Sequence, residues 1–576
     1  MEQSKEPIIL HFDFDCFYAS VVENENPALK TVPLGIQQKN ILATCNYVAR
    51  AQGVKKLQLI TAAKKQCKNL VIVNGEDLTR FRVVSKNIWL FVREFVWHNL
   101  TERLGLDEIF IDATEMIDFN MSQLRFQPGS KDPSFFRLSR NDPSAGFPFV
   151  WDELPGYTYP PAASSGPHSL LHQRLFLASH LASFIRTQIL TNFNHTCSAG
   201  ISTTKLTAKL AGSVNKPDAQ TLLLPGFEAA FLAGHEIGKV PGVGFKSAQK
   251  IRDKVLGRTT KDEEIEFTEI SEKVTVGTVI SVITTPAQLE PLTGGNGQKI
   301  WRLLHGIDPS RVAAAPIVPT QISIEDTFRP GRITCLNQLT PVLHQLTLKL
   351  LQRMHADLIG PGGEKWLAHP KNFRLSIRFH TRNRDFARMS RSGRMPGYVF
   401  SLSTPLDVVA ERLVREVVVG LFKGLCTERK WELQLVNVAA VNMADGGGGV
   451  DIRDMFSTLR PRSESWENKE EPTEYLDGIV NNSQQYNSPP EKEPEPIKEV
   501  KEDEDEGGEQ EGEGEEVVEL EWGDGLSDSS VEYGGIGSRG FSHNDPCPIC
   551  GERFPVFALE AHQRFHQSET EIEILG

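Results

Sequence analysis

The sequence predicts a multidomain α+β protein with an acidic tail, and three observations lead there. Its 576 residues exceed the roughly 100–200 of a typical domain several times over. Strand-like and helix-like apolar patterns follow one another irregularly up to residue 445. Residues 457–543 are then acidic and rich in Gly, Pro and Ser, and the block Glu502–Glu516 has almost no apolar side chain. Such a segment cannot bury enough surface to offset its chain entropy, so disorder is expected there.

Residues 1–115 read as α/β. Ile8–Phe14 is an apolar strand closing on Asp-Phe-Asp, and Val71–Asn74 is a short buried strand. Leu106–Ile111 is a third, interrupted by Asp107 and Glu108. Apolar spacing predicts helices over Thr61–Cys67 and Leu78–Phe95. Residues 118–168 are rich in Pro, Ser, Gly and aromatics with little periodicity, and read as an insertion or long loop within one domain. Helical spacing returns at Leu170–Leu190, before a strand at Ser198–Ile201 and a helix at Lys205–Leu210. Residues 233–317 are mostly short helices around a Pro-Gly-Val-Gly turn. Residues 319–445 form a compact module of their own, with strands at Phe373–Phe379 and Trp431–Val441 and amphipathic helices at Leu339–Leu358 and Pro405–Leu421. Gly446–Gly449 closes the ordered part, and order resumes near Asp545.

The net charge of −13 is unevenly placed: residues 461–576 hold 8 Lys/Arg against 31 Asp/Glu, which leaves +10 on residues 1–460. A basic body with an acidic tail suits a nucleic-acid protein and equally a mildly basic domain with a solvated tail. It argues against an acidic storage or calcium-buffering protein. The start of the chain is charged and lacks a leader-like apolar run, and no run reaches the ~20 apolar residues of a membrane span. A soluble, intracellular protein without a membrane role is expected.

The first chemical constellation is acidic. Asp13 and Asp15 close one strand, and Asp107-Glu108 interrupt another. Carboxylates in otherwise apolar strands are costly unless paired or metal-bound. Several together suit hard divalent cations, and alone they equally fit a nuclease or a nucleotide cyclase. Solvated strand ends are the plain alternative. The second runs from Thr44 to Arg50 and on to Lys55-Lys56. Tyr47 and Arg50, three apart, share a helical face, and an Arg fork, a Lys point charge and a phenol hydroxyl together suit a triphosphate clamp, a weak signal by itself.

Here the residues resemble a known family. His11-Phe12-Asp13-Phe14-Asp15-Cys16-Phe17-Tyr18-Ala19 resembles the first palm motif of Y-family translesion DNA polymerases, and Leu106–Asp112 their second acidic motif. Cys45-Asn46-Tyr47 through Arg50 is similar to their triphosphate-binding finger, and Lys216-Pro217-Asp218-Ala219-Gln220-Thr221 to their Lys-Pro-x-x-Gln-Thr turn. The resemblance covers about residues 8–445 apart from 118–168. It implies a right-hand polymerase: palm 1–16 and 78–232, fingers 17–77, thumb 233–317 and little finger 319–445.

It also implies roles. Asp13, Asp107 and Glu108, with the Phe14 carbonyl, would hold two Mg²⁺ or Mn²⁺ ions. Asp15, which shares a strand face with Asp13 by residue spacing, is not a main ligand in the family. Tyr18 corresponds to the residue that excludes a ribose 2′-hydroxyl. Tyr47, Arg50, Lys56 and Lys216 would hold the incoming triphosphate, and Gln38 and Lys39 would lie over the templating base. Leu34–Lys39, Ala51–Leu57, Val73–Arg80 and Gly105 resemble one branch in particular. That branch has a narrowed pocket and Hoogsteen pairing of a syn template purine, so its fidelity depends on the template base. The reaction implied is phosphoryl transfer from a deoxynucleoside triphosphate to a primer-template.

Three further segments bear on partners. Val240-Pro241-Gly242-Val243-Gly244-Phe245-Lys246 is similar to a helix-hairpin-helix, which aims backbone N–H groups at a DNA phosphate through Gly242, Gly244 and Lys246. Arg374, Arg378, Arg382 and Arg384 are candidate DNA-backbone contacts or simply a solvated basic face. Cys547-x2-Cys550-x11-His562-x3-His566 has the spacing of a zinc site, in a small ββα-type finger over 545–570 that follows an acidic linker over 446–544. This finger resembles the ubiquitin-binding fingers of translesion polymerases, which implies ubiquitin or a ubiquitinated sliding clamp (PCNA) as a partner. Arg564 stands where those fingers carry an Asp, which keeps DNA contact open as the competitor. Ile452, Met455 and Phe456 have the spacing of a short clamp-binding peptide or of a last domain turn. The function implied places the protein in the nucleus. Rival readings are another branch of the family, a DNA- and ubiquitin-binding scaffold with a dead palm, and a metal nuclease.

Overall fold

A computed structural model describes residues 6–124, 132–161, 169–258, 272–360, 365–380, 388–426 and 430–445, and the backbone of Asn544–Pro546 and Arg553–Pro555. At its centre lies a six-stranded sheet in the order Thr101–Leu104, Glu108–Asp112, Ile9–Phe14, Cys197–Ser202, Gln220–Leu223 and Tyr157–Tyr159. Ile9–Phe14 is buried along its whole length, because apolar side chains cover both faces. Helices Thr79–Glu94 and Leu170–Phe193 pack over the sheet, the second capped by Ser169, whose side chain accepts the His172 N–H. Helix Lys205–Gly212 presses so closely on the sheet that a Cβ on Gly200 would sit 1.9 Å from the Ala208 carbonyl oxygen. Only glycine permits that approach.

A three-stranded sheet, ordered Ile41–Cys45, Leu34–Gln38 and Val71–Asn74, carries the short helices Tyr47–Ala51 and Ile60–Gln66. It has its own small core of Leu42, Cys45, Ala49, Val54, Ala63, Cys67 and Leu70. Val71–Asn74, expected to be buried, is half-buried and ends exposed, because it is an edge strand with one neighbour. Helices Glu228–Ala233, Phe245–Leu256, Val276–Val282 and Gly297–Leu304 surround a third core that includes Phe231, Ile251 and Leu303. The last large module is a four-stranded sheet, ordered Gln321–Thr327, Leu433–Asp445, Ala368–Phe379 and Met389–Arg394, under helix Leu336–Leu358 and a helical run from Leu406 to Leu425. No helix among the described residues is long and apolar enough to cross a membrane.

The segment 118–168, expected to be an insertion or a long loop, holds regular structure among its described residues. Helix Thr114–Gln123 runs into it, Ser134–Arg137 and Gly146–Phe149 pair as a hairpin, and Tyr157–Tyr159 joins the central sheet in parallel with Gln220–Leu223. Phe136, Phe147, Phe149 and Trp151 are buried in the main core. Phe147 stacks between Phe136 and Phe184, at ring-centre distances of 5.0 and 4.4 Å. Strands of three or four residues contain too little alternation to stand out in a sequence.

Buried His195 ties the first helix, Phe17–Glu25, to the turn after Leu170–Phe193. Ser20 donates to the Phe17 carbonyl, so its oxygen accepts from His195 Nδ1, while Asn24 donates to Nε2. The Asn24 contact requires the neutral ring, in which Nε2 carries no proton, and burial lowers the pKa from 6.5 to about 4. The unfolded chain therefore takes up a proton that the folded chain refuses as pH falls from 6.5 to 4. Thermal melting should show about 2–3 kcal/mol lost between pH 7 and 4.5 from this ring, a loss that His195→Gln partly removes. Equal pH sensitivity in that variant would contradict the assignment.

Candidate active site

The register of the central strands gathers the acidic residues. Asp13 lies directly across from Glu108 on one side and from Ser198 on the other. The strand expected over Leu106–Ile111 starts instead at Glu108 and forms a hairpin with Thr101–Leu104. Asp107 occupies the turn, after Gly105 (φ 68°), and its carbonyl accepts the Phe14 N–H at 2.9 Å. Asp15 lies past the strand end. Its two oxygens accept from the Ser198 hydroxyl (2.9 Å) and the Asp218 N–H (2.8 Å), so it braces a turn.

Asp13 and Glu108 are almost fully buried, and each faces a cation. Lys216 Nζ is 2.6 Å from Asp13 Oδ2, and Lys209 Nζ is 2.8 Å from Glu108 Oε2. His11 Nε2 lies 3.1 Å from that same Glu108 oxygen. Burial pushes the Asp13 pKa well above the usual carboxylate range against the pull of Lys216, and the charges of Asp107 and Glu108 add to the rise. Burial acts the same way on Glu108, but the His11 hydrogen bond and the charges of His11 and Lys209 outweigh it and hold this carboxyl low.

Among the described residues, no three His, Cys, Asp or Glu side chains are drawn into a metal-binding geometry. The donor chemistry nevertheless fits a hard divalent cation: three carboxylates at one end of a sheet, two of them neutralised by lysines. The four Cys and His of the zinc spacing lie outside the described residues. Only the short antiparallel pair Asn544–Pro546 and Arg553–Pro555 is seen there, on either side of Cys547 and Cys550 in sequence. Arg382, Arg384 and the clamp-like segment at 451–456 also lie outside them.

A pocket opens beside the carboxylates, lined by Phe14, Tyr18, Thr44, Lys56 and Asp107 among others. Tyr18 is buried and lies against Phe81 (ring centres 4.5 Å apart). Burial, with the charge of Asp107 adding, pushes its hydroxyl up to about 12, so it stays protonated. Helix Tyr47–Ala51 is capped by Asn46, whose side-chain oxygen accepts the Ala49 and Leu34 N–H groups. Its amide nitrogen donates to Glu23 and to the Val32 carbonyl, which ties the helix to the rest of the module. The Arg50 guanidinium sits 4.9 Å from the Tyr47 ring centre, the shared face that the spacing predicts.

Gln38 donates to the Gly75 carbonyl at the tip of the Leu34–Gln38 strand. Lys39 next to it, expected over a templating base, reaches the four-stranded module. Its Nζ lies 2.7 Å from Asp326 Oδ1 and 2.6 Å from the Thr327 carbonyl. Gly242 and Gly244 are exposed, and Lys246 sits exposed in the first turn of helix Phe245–Leu256. Arg374 donates to Gln321. Sequence reasoning missed His11 and Lys209, the partners of Glu108. Lys205 and Lys209, four apart on one helix and paired with Glu102 and Glu108, were the available signal. It also missed the exposed edge strand Met389–Arg394, which carries Arg391 and Arg394.

Residues 12–213 match the impB/mucB/samB family model. The chain is 33% identical to human "DNA polymerase iota" over 423 residues, covering 71% of this chain and 50% of that protein. It is 37% identical to Drosophila melanogaster "DNA polymerase iota" over 252 residues, covering 42% of this chain and 30% of that protein. It is 26% identical to "DNA polymerase IV" of Mannheimia succiniciproducens over 350 residues, covering 58% and 76%. The chain spans about half the length of the mammalian relatives it matches. Residues 12–213 thus share the pattern of the impB/mucB/samB family, and the chain is similar, at moderate identity, to proteins named DNA polymerase iota.

Proposed function

We propose that this protein is a low-fidelity, template-directed DNA polymerase of the iota type, acting in translesion synthesis in the nucleus. The observation that carries the reading is a pocket that Asp107 lines together with Phe14, Tyr18 and Lys56, next to the strand pair that sets Asp13 across from Glu108. A nuclease has no need of that pocket wall or of a triphosphate clamp.

In this reading Asp13, Asp107 and Glu108, with the Phe14 carbonyl, hold two Mg²⁺ or Mn²⁺ ions. When bound, these supply an activated primer 3′-hydroxyl and neutralise the triphosphate and leaving pyrophosphate. Asp107 and Glu108 are the catalytic carboxylates. Tyr47, Arg50, Lys56 and Lys216 bind the triphosphate, and Tyr18 closes the pocket against a 2′-hydroxyl. Gln38 and Lys39 form the pocket roof. The pairing of Lys39 with Asp326 supports a roof that is continuous with the four-stranded module. The domain division is palm 1–16 and 78–232, fingers 17–77, thumb 233–317 and little finger 319–445. Gly242, Gly244 and Lys246 grip the duplex backbone. Residues 545–570 bind one Zn²⁺ through Cys547, Cys550, His562 and His566, and recruit the protein to ubiquitin or a ubiquitinated sliding clamp.

Primer extension by the full chain in Mg²⁺ or Mn²⁺, with the Asp107→Ala/Glu108→Ala protein as blank, tests the reading. Extension well above the blank is expected. Primer-template binding by both proteins with no extension by either would leave a DNA-binding scaffold.

A further inference from the structure

The segment 132–161 grips the strand that follows Lys216. Gln220, the first residue of that strand, is 1% exposed. Its Nε2 donates to the Pro155 carbonyl (3.0 Å), the Ser179 carbonyl (2.8 Å) and the Ser179 hydroxyl (2.8 Å). The Ser179 hydroxyl in turn donates to Pro155 at 3.2 Å. One residue on, Gly156 (φ 85°) passes so close to Gln220 that a Cβ would lie 2.4 Å from Gln220 Cγ and 2.5 Å from its carbonyl oxygen. Tyr157–Tyr159 then pairs in parallel with Thr221–Leu223, and the Leu224 N–H donates to the Tyr159 carbonyl at 3.0 Å. Without this strand, Gln220–Leu223 would be the exposed edge of the sheet.

The turn between Lys216 and Gln220 has other anchors. The Asp218 N–H donates to Asp15, and Arg186 donates to the Asp218 carboxylate (2.5 Å) and the Cys197 carbonyl (2.8 Å). Those anchors hold the middle of the turn. Gln220 holds its downstream end, and Lys216 at the upstream end places its ammonium 2.6 Å from Asp13. A long, flexible lysine reaches a fixed point reproducibly only when its backbone is fixed.

We propose that residues 146–161 form a positioning arm for Lys216, with Gly156 and Gln220 as positioning residues for capture of the nucleotide triphosphate. This rests on the polymerase reading above. The arm moves no proton and contacts no substrate. It sets where the triphosphate-binding cation stands, so its loss appears in nucleotide KM before it appears in DNA affinity.

The test is steady-state insertion by the full chain, with primer-template affinity measured by fluorescence anisotropy. Gln220→Leu keeps the shape and removes the amide's contacts to Pro155 and Ser179, together with the 3.4 Å bond its oxygen accepts from Arg186, and Gly156→Val forces the arm off the strand. Each is expected to raise nucleotide KM about tenfold, the effect of one lost buried hydrogen-bond set, with primer-template Kd unchanged. The decisive comparison is Lys216→Ala/Gln220→Leu against Lys216→Ala alone. If Gln220 acts through Lys216, the double variant is no worse than the single one. Independent, multiplying losses, or wild-type KM in both arm variants of an active enzyme, would overturn the proposal. Unchanged Kd in Gln220→Leu certifies a folded protein should Gly156→Val fail to fold. No insertion by the parent protein with DNA bound sinks the polymerase reading itself and this inference with it.

Discussion

Asp107→Ala/Glu108→Ala loses on the order of a thousandfold or more in single-turnover insertion while still binding primer-template. The physical reason is local. Glu108 is opposite Asp13 in the strand register and Asp107 lies in the adjoining turn, so the pair supplies most of the negative charge that a divalent ion could use. Removing Glu108 also takes away the buried carboxylate that His11 and half-buried Lys209 pair with. Breaking a buried pair costs about 3–5 kcal/mol, so lower melting temperature is expected alongside lost turnover. Glu108→Gln separates the two effects, because it keeps the shape and a hydrogen-bonding oxygen. It should melt closer to the parent and be just as inactive. Turnover within about tenfold of the parent in Glu108→Gln would remove Glu108 from the chemistry.

Tyr18→Ala gives the second large effect, a fall of about a hundredfold in discrimination between deoxy- and ribonucleotides. Tyr18 forms a wall of the pocket and is braced from behind by Phe81, so the ring cannot swing aside to admit a larger sugar. Its hydroxyl, pushed up to about 12, carries no charge that could repel the substrate. Exclusion by this residue is therefore steric, and Tyr18→Phe should keep the parent's discrimination. Truncation to Ala also opens a cavity that costs about 3–5 kcal/mol of stability. Competing dNTP and rNTP insertion at fixed enzyme concentration measures the ratio free of that loss. An unchanged ratio in Tyr18→Ala would place the sugar elsewhere.

Much of this arrangement was legible in the sequence, and what was missed has physical causes. A mostly apolar strand that runs into Asp-Phe announces itself, as does a helix of sixteen residues such as Thr79–Glu94. The placement of Asp13 against Glu108 follows from strand pairing, which spacing along one chain segment cannot reveal. The strand Thr101–Leu104 went unseen because its residues, Thr-Glu-Arg-Leu, look like a surface loop. The contacts of Lys39 with Asp326 and Thr327 could not be read either, because those partners lie far along the chain. The arm at 146–161 was hidden for the opposite reason: its buried aromatics are carried on strands too short to show a period.

The measurement that tests the central claim most directly is insertion efficiency for each of the four deoxynucleotides opposite each of the four template bases, in Mg²⁺ and in Mn²⁺, against the Asp107→Ala/Glu108→Ala blank. Insertion far above the blank is expected, accurate opposite template A and error-prone opposite template T, the pattern that the proposed iota-type reading implies. Equal selectivity at all four templates would move the protein to another branch of the family. No insertion above the blank at any template, with DNA still bound, would contradict the account.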